Sequence, residues 1–382
     1  MAKLQGNAPV PTDDLRRNVY CILGMPVDVI DMAGALKRID EAVTVRNAFQ
    51  ISTPNLNFLT NSLDDPEFRE TLLDSDLCPA DGMPIVWIGR LIGAPIEQRV
   101  SGSDIFDALK LNDPGRPLTV CLFGGEDGVA EEAARTLNAT PCGLKCVGAI
   151  SPGFGSIEEM SRDETIDRVN ATKAEFLAAS LGAKKGQLWL HRNHQRLTIP
   201  VRAHLGATIN FQIGRVRRAP NWLRPLGFEW LWRIKEEPHL WHRYARDGAA
   251  MARLIVTRAL PLAILNRWHD LKYKWNLREL AVNTDQNHDS VTIRLSGDAS
   301  RRNLAVALTC FRETLTNRNS QVVIDLADAR VIDARFLGLL LMVRKKLKGQ
   351  GAKLKFIGLS PAMRRLFRLN EVDFLLASAD KP

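Results

Sequence analysis

The sequence predicts an α/β protein in three parts: a Rossmann-like parallel sheet covered by helices, a basic helical appendage, and a second, smaller α/β unit. Three observations carry this. From residue 19 to about 183, short apolar runs alternate with helical patterns, the mark of βαβ units. From about 200 to 280 the chain becomes rich in Arg and Trp and is punctuated by Pro220, Pro225, Pro238 and Pro261. From about 285 strand and helix patterns resume for roughly 95 residues, enough for an independent small domain. The expected boundaries are 1–200 for the core, 201–282 for the appendage and 286–382 for the last domain, with a polar linker at 283–288.

The elements follow in order. Residues 20–23 and 49–52 read as buried strands, and 33–45 and 65–73 have helical spacing. Residues 119–123 read as a strand, 129–137 as a helix, 145–147 as a strand, 156–169 as a polar helix and 176–180 as a strand. In the last unit, strands are expected at 290–295, 321–326 and 353–357, and helices at 301–315, 336–347 and 361–369.

Composition bounds the classes of function. The 382 residues suit two or three domains, and 45% apolar with 25% charged residues is ordinary for a globular chain. Asp13 and Asp14 with no apolar core argue against a signal peptide. No uninterrupted apolar stretch reaches the ~18 residues of a spanning helix. The longest candidate, 249–266, contains Arg253, Arg258 and Pro261. Six cysteines without a CxxC pair make no disulfide framework, so Cys142 and Cys146 read as buried thiols and a cytoplasmic location is expected. The net charge is +9, but 184–274 alone carries +13. One segment therefore holds the whole basic excess, and its partner is expected to be anionic: a diphosphate, lipid head groups or nucleic acid.

Ligands of open parallel sheets bind beyond the carboxyl ends of the strands, so those positions come first. Thr53 and Asn55 flank Pro54, which forces a turn after the strand at 49–52; they serve either as turn and cap residues or as polar groups of a site. Asp81-Gly82 offers a carboxylate beside a permissive backbone, a turn or a general base. Gly124, Gly125 and Gly128 lie between a strand and a helix, where backbone N–H groups can face an anion. The pattern is not GxGxxG. Asp74 and Asp76 form a DxD that keeps a divalent ion in question, while His191 and His194 have no further ligand in sequence. Around 217–246, Arg alternates with Trp, suited to phosphate contacts beside an apolar surface.

Thr53-Pro54-Asn55, Ala80-Asp81-Gly82, Arg99-Val100-Ser101-Gly102-Ser103-Asp104, Gly124-Gly125, Phe211 with Gly214, Arg218-Ala219-Pro220 and Glu229-Trp230 occur in an order that resembles the WecG/TagA/CpsF glycosyltransferases, over about residues 19–250. The resemblance implies an inverting transfer of a hexose-type sugar from a UDP-sugar to a polyprenyl-diphosphate-linked saccharide, for surface polysaccharide synthesis on the inner membrane face. It implies that Asp81 is the base, with Thr53 and Asn55 beside it. It implies substrate contacts for Arg99, Gly124, Gly125, Gln187, Arg218, Arg233 and Arg243, and no cofactor or metal. The chain departs from the family pattern Gly-x-Pro-x-Gln-Glu, with Gly186 and Gln187 at its last two positions, and has Asn210 before Phe211 and Leu240 in place of an arginine.

The last 95 or so residues resemble a STAS domain, on Val322–Leu326, Val331-Ile332-Asp333 and Gly338. Ala334 and Arg335 stand where such domains often carry a phosphorylatable serine, so the resemblance implies docking to a protein partner without that switch. Two other readings compete. A scaffold with a degenerate transferase body would lack turnover; a nucleic-acid binder would respond to DNA but not to lipid, and no nucleic-acid partner is expected, because the basic residues accompany Trp and Leu and not a recognised reading helix.

Overall fold

The computed structural model describes residues 13–112, 115–153, 155–206, 208–214, 219–220, 223, 227–273, 278–287, 290–317 and 319–377. The chain opens with an antiparallel hairpin, β1 (Val19–Ile22) and β2 (Met25–Asp28), followed by helix α1 (Met32–Val45). Strand β3 (Phe49–Ile51) leads into α2 (Leu56–Asp64), α3 (Pro66–Leu73), α4 (Met83–Leu91) and α5 (Gly102–Leu111). Then come β4 (Leu118–Gly124), α6 (Val129–Asn138), β5 (Leu144–Ile150), α7 (Asp163–Ala171), β6 (Phe176–Ser180), α8 (Ala183–Arg192), β7 (Val201–His204) and the short α9 (Thr208–Gln212).

The main sheet has the order β3-β7-β6-β4-β5, and every pair is parallel. Its two faces are covered differently. Apolar residues of α1, α5 and α6 cover one face, and those of α7 and α8 the other, where Trp189 stacks on Phe123 at 4.2 Å. Strand β4 pairs with β5 on one side and β6 on the other. The connections leave in opposite directions there, which makes the carboxyl ends of β4 and β6 a topological switch point, the place where such sheets bind ligands.

Two expectations change. The strand expected at 20–23 belongs to the separate hairpin and not to the parallel sheet, because Leu23 and Gly24 turn the chain with positive φ (47° and 84°) and return it antiparallel. The core also does not end at 200: β7 is an inner strand, so the sheet extends to His204.

The appendage comprises α10 (Glu229–Glu236), α11 (Trp241–Leu254) and α12 (Leu260–Tyr273). Pro261 was expected to break this region. Instead α11 and α12 are joined by a π-helical stretch, Ile255–Ala259, and helix runs from Pro238 to Tyr273. The wider turn sits just before the proline that lacks a backbone donor, a recognised way for a helix to continue past one. By length and composition this helix could cross a membrane, and its apolar stretch is mostly unburied in the protein.

The last domain has β8 (Ala281–Gln286), β9 (Ser290–Ala299), α13 (Leu304–Thr316), β10 (Gln321–Asp325), β11 (Ala329–Ile332), α14 (Ala334–Gly349), β12 (Lys353–Ile357) and α15 (Pro361–Leu369). Of the polar stretch expected as a linker, His288 lies outside the described residues and 283–286 lies in strand β8, paired antiparallel with β9 from Ala281↔Ser296 to Gln286↔Val291. Its side chains are mostly exposed, which is why an edge strand here looks like a loop in sequence.

This domain is docked rather than tethered. Helix α14 is buried on nearly all sides, between its own sheet and the β1–β2 hairpin, and one apolar core runs through both. Arg335 donates to the carbonyls of Val19 and Arg17 at 3.1 Å each. Arg344 pairs with Glu70, and Lys348 reaches Glu70 and Asp74. Lys345 donates to Asp76 at 2.7 Å and Asp14 at 3.0 Å. Both carboxylates of the DxD are thus held by lysines of the last domain. Gly338 makes the approach possible: a Cβ there would lie 2.1 Å from Val19 O. Gly338→Ala is expected to lower stability by about 1–3 kcal/mol through overpacking, read as a shift in the urea midpoint. An unchanged midpoint would mean that the hairpin and α14 are not in contact in solution.

Candidate active site

The site is assembled at the end of β3. Residues 77–81 run beside that strand: Ser52 N–H donates to Leu77 O at 2.9 Å and Asp81 N–H donates to Pro54 O at 2.9 Å. On the far side, Val100 N–H donates to Ala80 O at 2.8 Å, which brings in the segment before α5. Asp81 is therefore fixed by backbone on both flanks. Gly82 follows with φ +92°, a left-handed value that favours glycine, and it starts α4.

Thr53 is buried, and Asn55 caps α2 by accepting from Phe58 N–H at 3.1 Å. Asn55 also lies against the Asp81-Gly82 turn, with its Cβ 3.9 Å from where a side chain at Gly82 would begin. At the start of α5, Gly102 packs on Thr53 and Leu205; a Cβ there would lie 3.3 Å from Thr53 Oγ1 and 3.0 Å from Leu205. The Gly102 amide faces the Asp81 carboxylate and favours its ionised form. Thr53, Asn55 and Asp81 are thus brought together, with the amino end of α5 facing the acid.

Arg99 completes this cluster. Its Nη2 donates to Asp104 at 2.6 Å and its Nη1 to Glu229 at 2.5 Å. Ser101 caps α5 by accepting from Asp104 N–H at 3.1 Å, and its hydroxyl donates to the Asp104 carboxylate at 2.6 Å. Asp104 and Glu229 stand in the motifs quoted above but received no role from sequence. The S-x-x-D spacing signals the cap. Nothing local signals Glu229, which lies 130 positions from its partner.

The electrostatics favour a base. Burial, reinforced by the nearby Glu229 and Asp104 carboxylates, outweighs Arg99 and the Gly102 amide and pushes the Asp81 carboxyl up to about 7. A carboxylate poised there is both substantially ionised near neutral pH and basic enough to accept a hydroxyl proton.

The other expected residues fall in different places. Gly124 and Gly125 have φ of +116° and +85° at the switch point. A Cβ on Gly124 would lie 2.5 Å from Ser180 O, so only glycine lets the ends of β4 and β6 meet there. Ser180 Oγ is buried without a hydrogen-bond partner at that junction. Gln187 is not presented to a ligand: it is 0% exposed and accepts from Ser52 Oγ at 2.9 Å, so it braces the end of β3 from behind. Gly186, the other departure, is dictated by His204, whose ring would lie 2.1 Å from a Cβ there. Arg233 pairs with Glu237 at 2.6 Å and lies over Phe211 at 5.4 Å. Arg243 is exposed on α11, over Tyr244 and beside the Asp247 charge. Arg218 lies outside the described residues. No group of three or more His, Cys, Asp or Glu able to hold a metal occurs among the described residues.

The model of the "Glycosyl transferase WecG/TagA/CpsF family" matches residues 20–263, which is more than half of the chain. The chain belongs to that family. Residues 282–377 match the "Mlab, STAS domain" model, so the last domain is a STAS domain. Two relatives carry the name N-acetylglucosaminyldiphosphoundecaprenol N-acetyl-beta-D-mannosaminyltransferase. That of Bacillus spizizenii is 24% identical over 199 residues, 52% of this chain and 75% of the relative. That of Bacillus subtilis is 23% identical over 193 residues, 50% of this chain and 73% of the relative. Among solved structures, an anti-sigma factor antagonist from Mycobacterium paratuberculosis matches 26% of this chain and 83% of its own, at 16% identity and a TM-score of 0.24. The transferase and STAS assignments expected from sequence are therefore correct, and the chain is a glycosyltransferase of this family carrying a STAS domain.

Proposed function

We propose that this glycosyltransferase moves a hexose-type sugar from a UDP-sugar to a saccharide carried on polyprenyl diphosphate, with inversion, at a membrane surface. The observation that carries the reading is the Asp81 carboxyl, fixed at a strand end beside Thr53 and Asn55 and held near neutrality. The relatives named above act on a diphosphoundecaprenol-linked sugar, which supports a lipid-borne acceptor. In this mechanism Asp81 takes the acceptor hydroxyl proton as that oxygen attacks the anomeric carbon and the UDP oxygen departs. The glycine turn at Gly124 and Gly125, with the amino end of α6, binds the donor phosphates in this reading. The departing diphosphate gains charge, and arginines of the appendage such as Arg233 and Arg243 are the cations on hand to offset it. Asp74 and Asp76 already hold Lys348 and Lys345, so the DxD is committed to structure, which supports a reaction without a divalent ion. A screen of UDP-sugars against a synthetic polyprenyl-diphosphate sugar, in EDTA, tests all of this. Release of UDP with formation of the longer lipid-linked saccharide is expected; failure with every donor favours the scaffold reading.

The surface of the appendage supports membrane contact. Trp241, Val256, Leu260, Ile264, Trp268 and Leu271 are exposed along one helix, among the exposed Arg253, Arg267 and Lys272. Leu254, Ala259 and Leu262 are buried against the protein, and Arg258 pairs with Glu371 of the STAS domain. One side of the helix is thus already occupied, as suits a helix lying on a bilayer rather than crossing it alone. Replacing Arg253, Arg267 and Lys272 by Gln should weaken flotation with anionic vesicles about 10²-fold, at roughly 1 kcal/mol for each charge. Equal binding of the variant would remove the electrostatic part of this proposal.

A further inference from the structure

The Arg99–Glu229 pair joins the appendage to the core near Asp81, which feels both charges. Arg99 and Asp104 belong to the core, and Ser101 fixes Asp104 from the same turn. Glu229 is the first residue of α10 and can reach Arg99 only when that helix is docked. A second contact sets the same docking. Gly227, with φ +79°, packs so closely on α4 that a Cβ would lie 2.9 Å from Met83 and 3.0 Å from Trp87. Helix α4 begins directly after Asp81-Gly82, so α10 is seated over the turn that carries the acid. Both members of the pair are largely enclosed, with side chains 13% and 25% exposed.

We propose that Glu229 is a positioning residue: by holding Arg99 toward α10 and offsetting its charge, it makes the basicity of Asp81 depend on the docking of the appendage. This rests on the reading of Asp81 as the base. The charged groups facing Asp81 among the described residues are Arg99 from the loop before α5, Asp104 from α5 and Glu229 from α10, with the Gly102 amide as a further donor. Arg99 favours the ionised form of Asp81, and Asp104 and Glu229 oppose it. With α10 docked, two carboxylates share one guanidinium and Asp81 stays basic. With α10 away, Arg99 keeps one carboxylate and is free to pair with Asp81, leaving a carboxylate that is ionised but weakly basic. Proton removal from the acceptor is then efficient only after the appendage is seated, and hydrolysis of the donor by water is disfavoured before that.

The test is a carbon-13 NMR titration of the Asp81 carboxyl in the full chain, assigned by its loss in Asp81→Asn, run beside the pH dependence of kcat/KM. Glu229→Gln should move the Asp81 midpoint, and the acid limb of kcat/KM with it, down by about half a pH unit or more. At pH 8 kcat should fall with little change in KM, and Glu229→Asp should restore the wild-type limb. Arg99→Gln should move the midpoint the opposite way, which general damage to the fold would not do. A smaller shift in Glu229→Gln, or the same direction in both variants, overturns the proposal. Turnover retained by Asp81→Asn would instead overturn the base assignment, while the titration still reports on the coupling.

Discussion

Asp81→Asn is expected to lower sugar transfer by about 10²–10⁴-fold, the usual contribution of a positioned base, without loss of fold. The asparagine keeps the size of the side chain, and Asp81 N–H keeps its bond to Pro54 O. Stability should move in the favourable direction at alkaline pH, and the sign follows from linkage. The Asp81 carboxyl is raised to about 7 in the folded chain from an ordinary value near 4, so between those values the folded state binds the extra proton. Wild-type stability therefore falls as pH rises from about 4 to 7, and above 7 the protein carries the cost of the half-buried charge. Asp81→Asn removes that cost and should melt at or above the wild-type temperature at pH 8. Near wild-type turnover would refute the base assignment. A lowered melting temperature would mean that the loss of rate has a structural origin.

The second large effect concerns the STAS interface. Lys345→Ala should destabilise the whole chain by about 3–5 kcal/mol, the cost of stranding buried partners. Burial opposes the charge on Lys345, yet Asp76 and Asp14 outweigh it and hold its pKa above the usual lysine value. Without the lysine, Asp76 keeps the Gln50 N–H at 2.8 Å and the more distant Arg17 charge, and Asp14 keeps Arg17. Because one apolar core spans α14, the β1–β2 hairpin and α2 to α4, the loss should appear as a single melting transition at lower temperature. Two separate transitions, or a change below about 1 kcal/mol, would mean that the STAS domain is an independent tethered unit.

The sequence was legible where a residue's role is local. The apolar strands at 119–123 and 176–180 bury both faces in a parallel sheet, and their uninterrupted runs say so. The glycines at 124, 125 and 128 announce a turn because their φ lies in the left-handed region that favours glycine. The reading failed where tertiary partners decide. Residues 281–286 are polar because one edge of the small sheet faces water, and so resemble a linker. Asp74 and Asp76 resemble metal ligands until Lys345 and Lys348 arrive from some 270 positions away. Asp81 was visible as a carboxylate after a strand, but its raised pKa comes first from burial and then from charges such as Glu229, which no spacing rule connects to it. Gln187 lies in the buried run Gly186–Leu190 of α8, a packing that motif matching does not reveal.

The most direct measurement is the pH dependence of kcat/KM for the wild-type enzyme with a lipid-diphosphate acceptor and its UDP-sugar donor. The account predicts an acid limb with a midpoint at about 7, reporting an enclosed carboxyl that must lose its proton before it can accept another. A rate that stays level from pH 5 to 8 would contradict it, because the acid at position 81 would then be an ordinary exposed carboxylate with no part in proton removal.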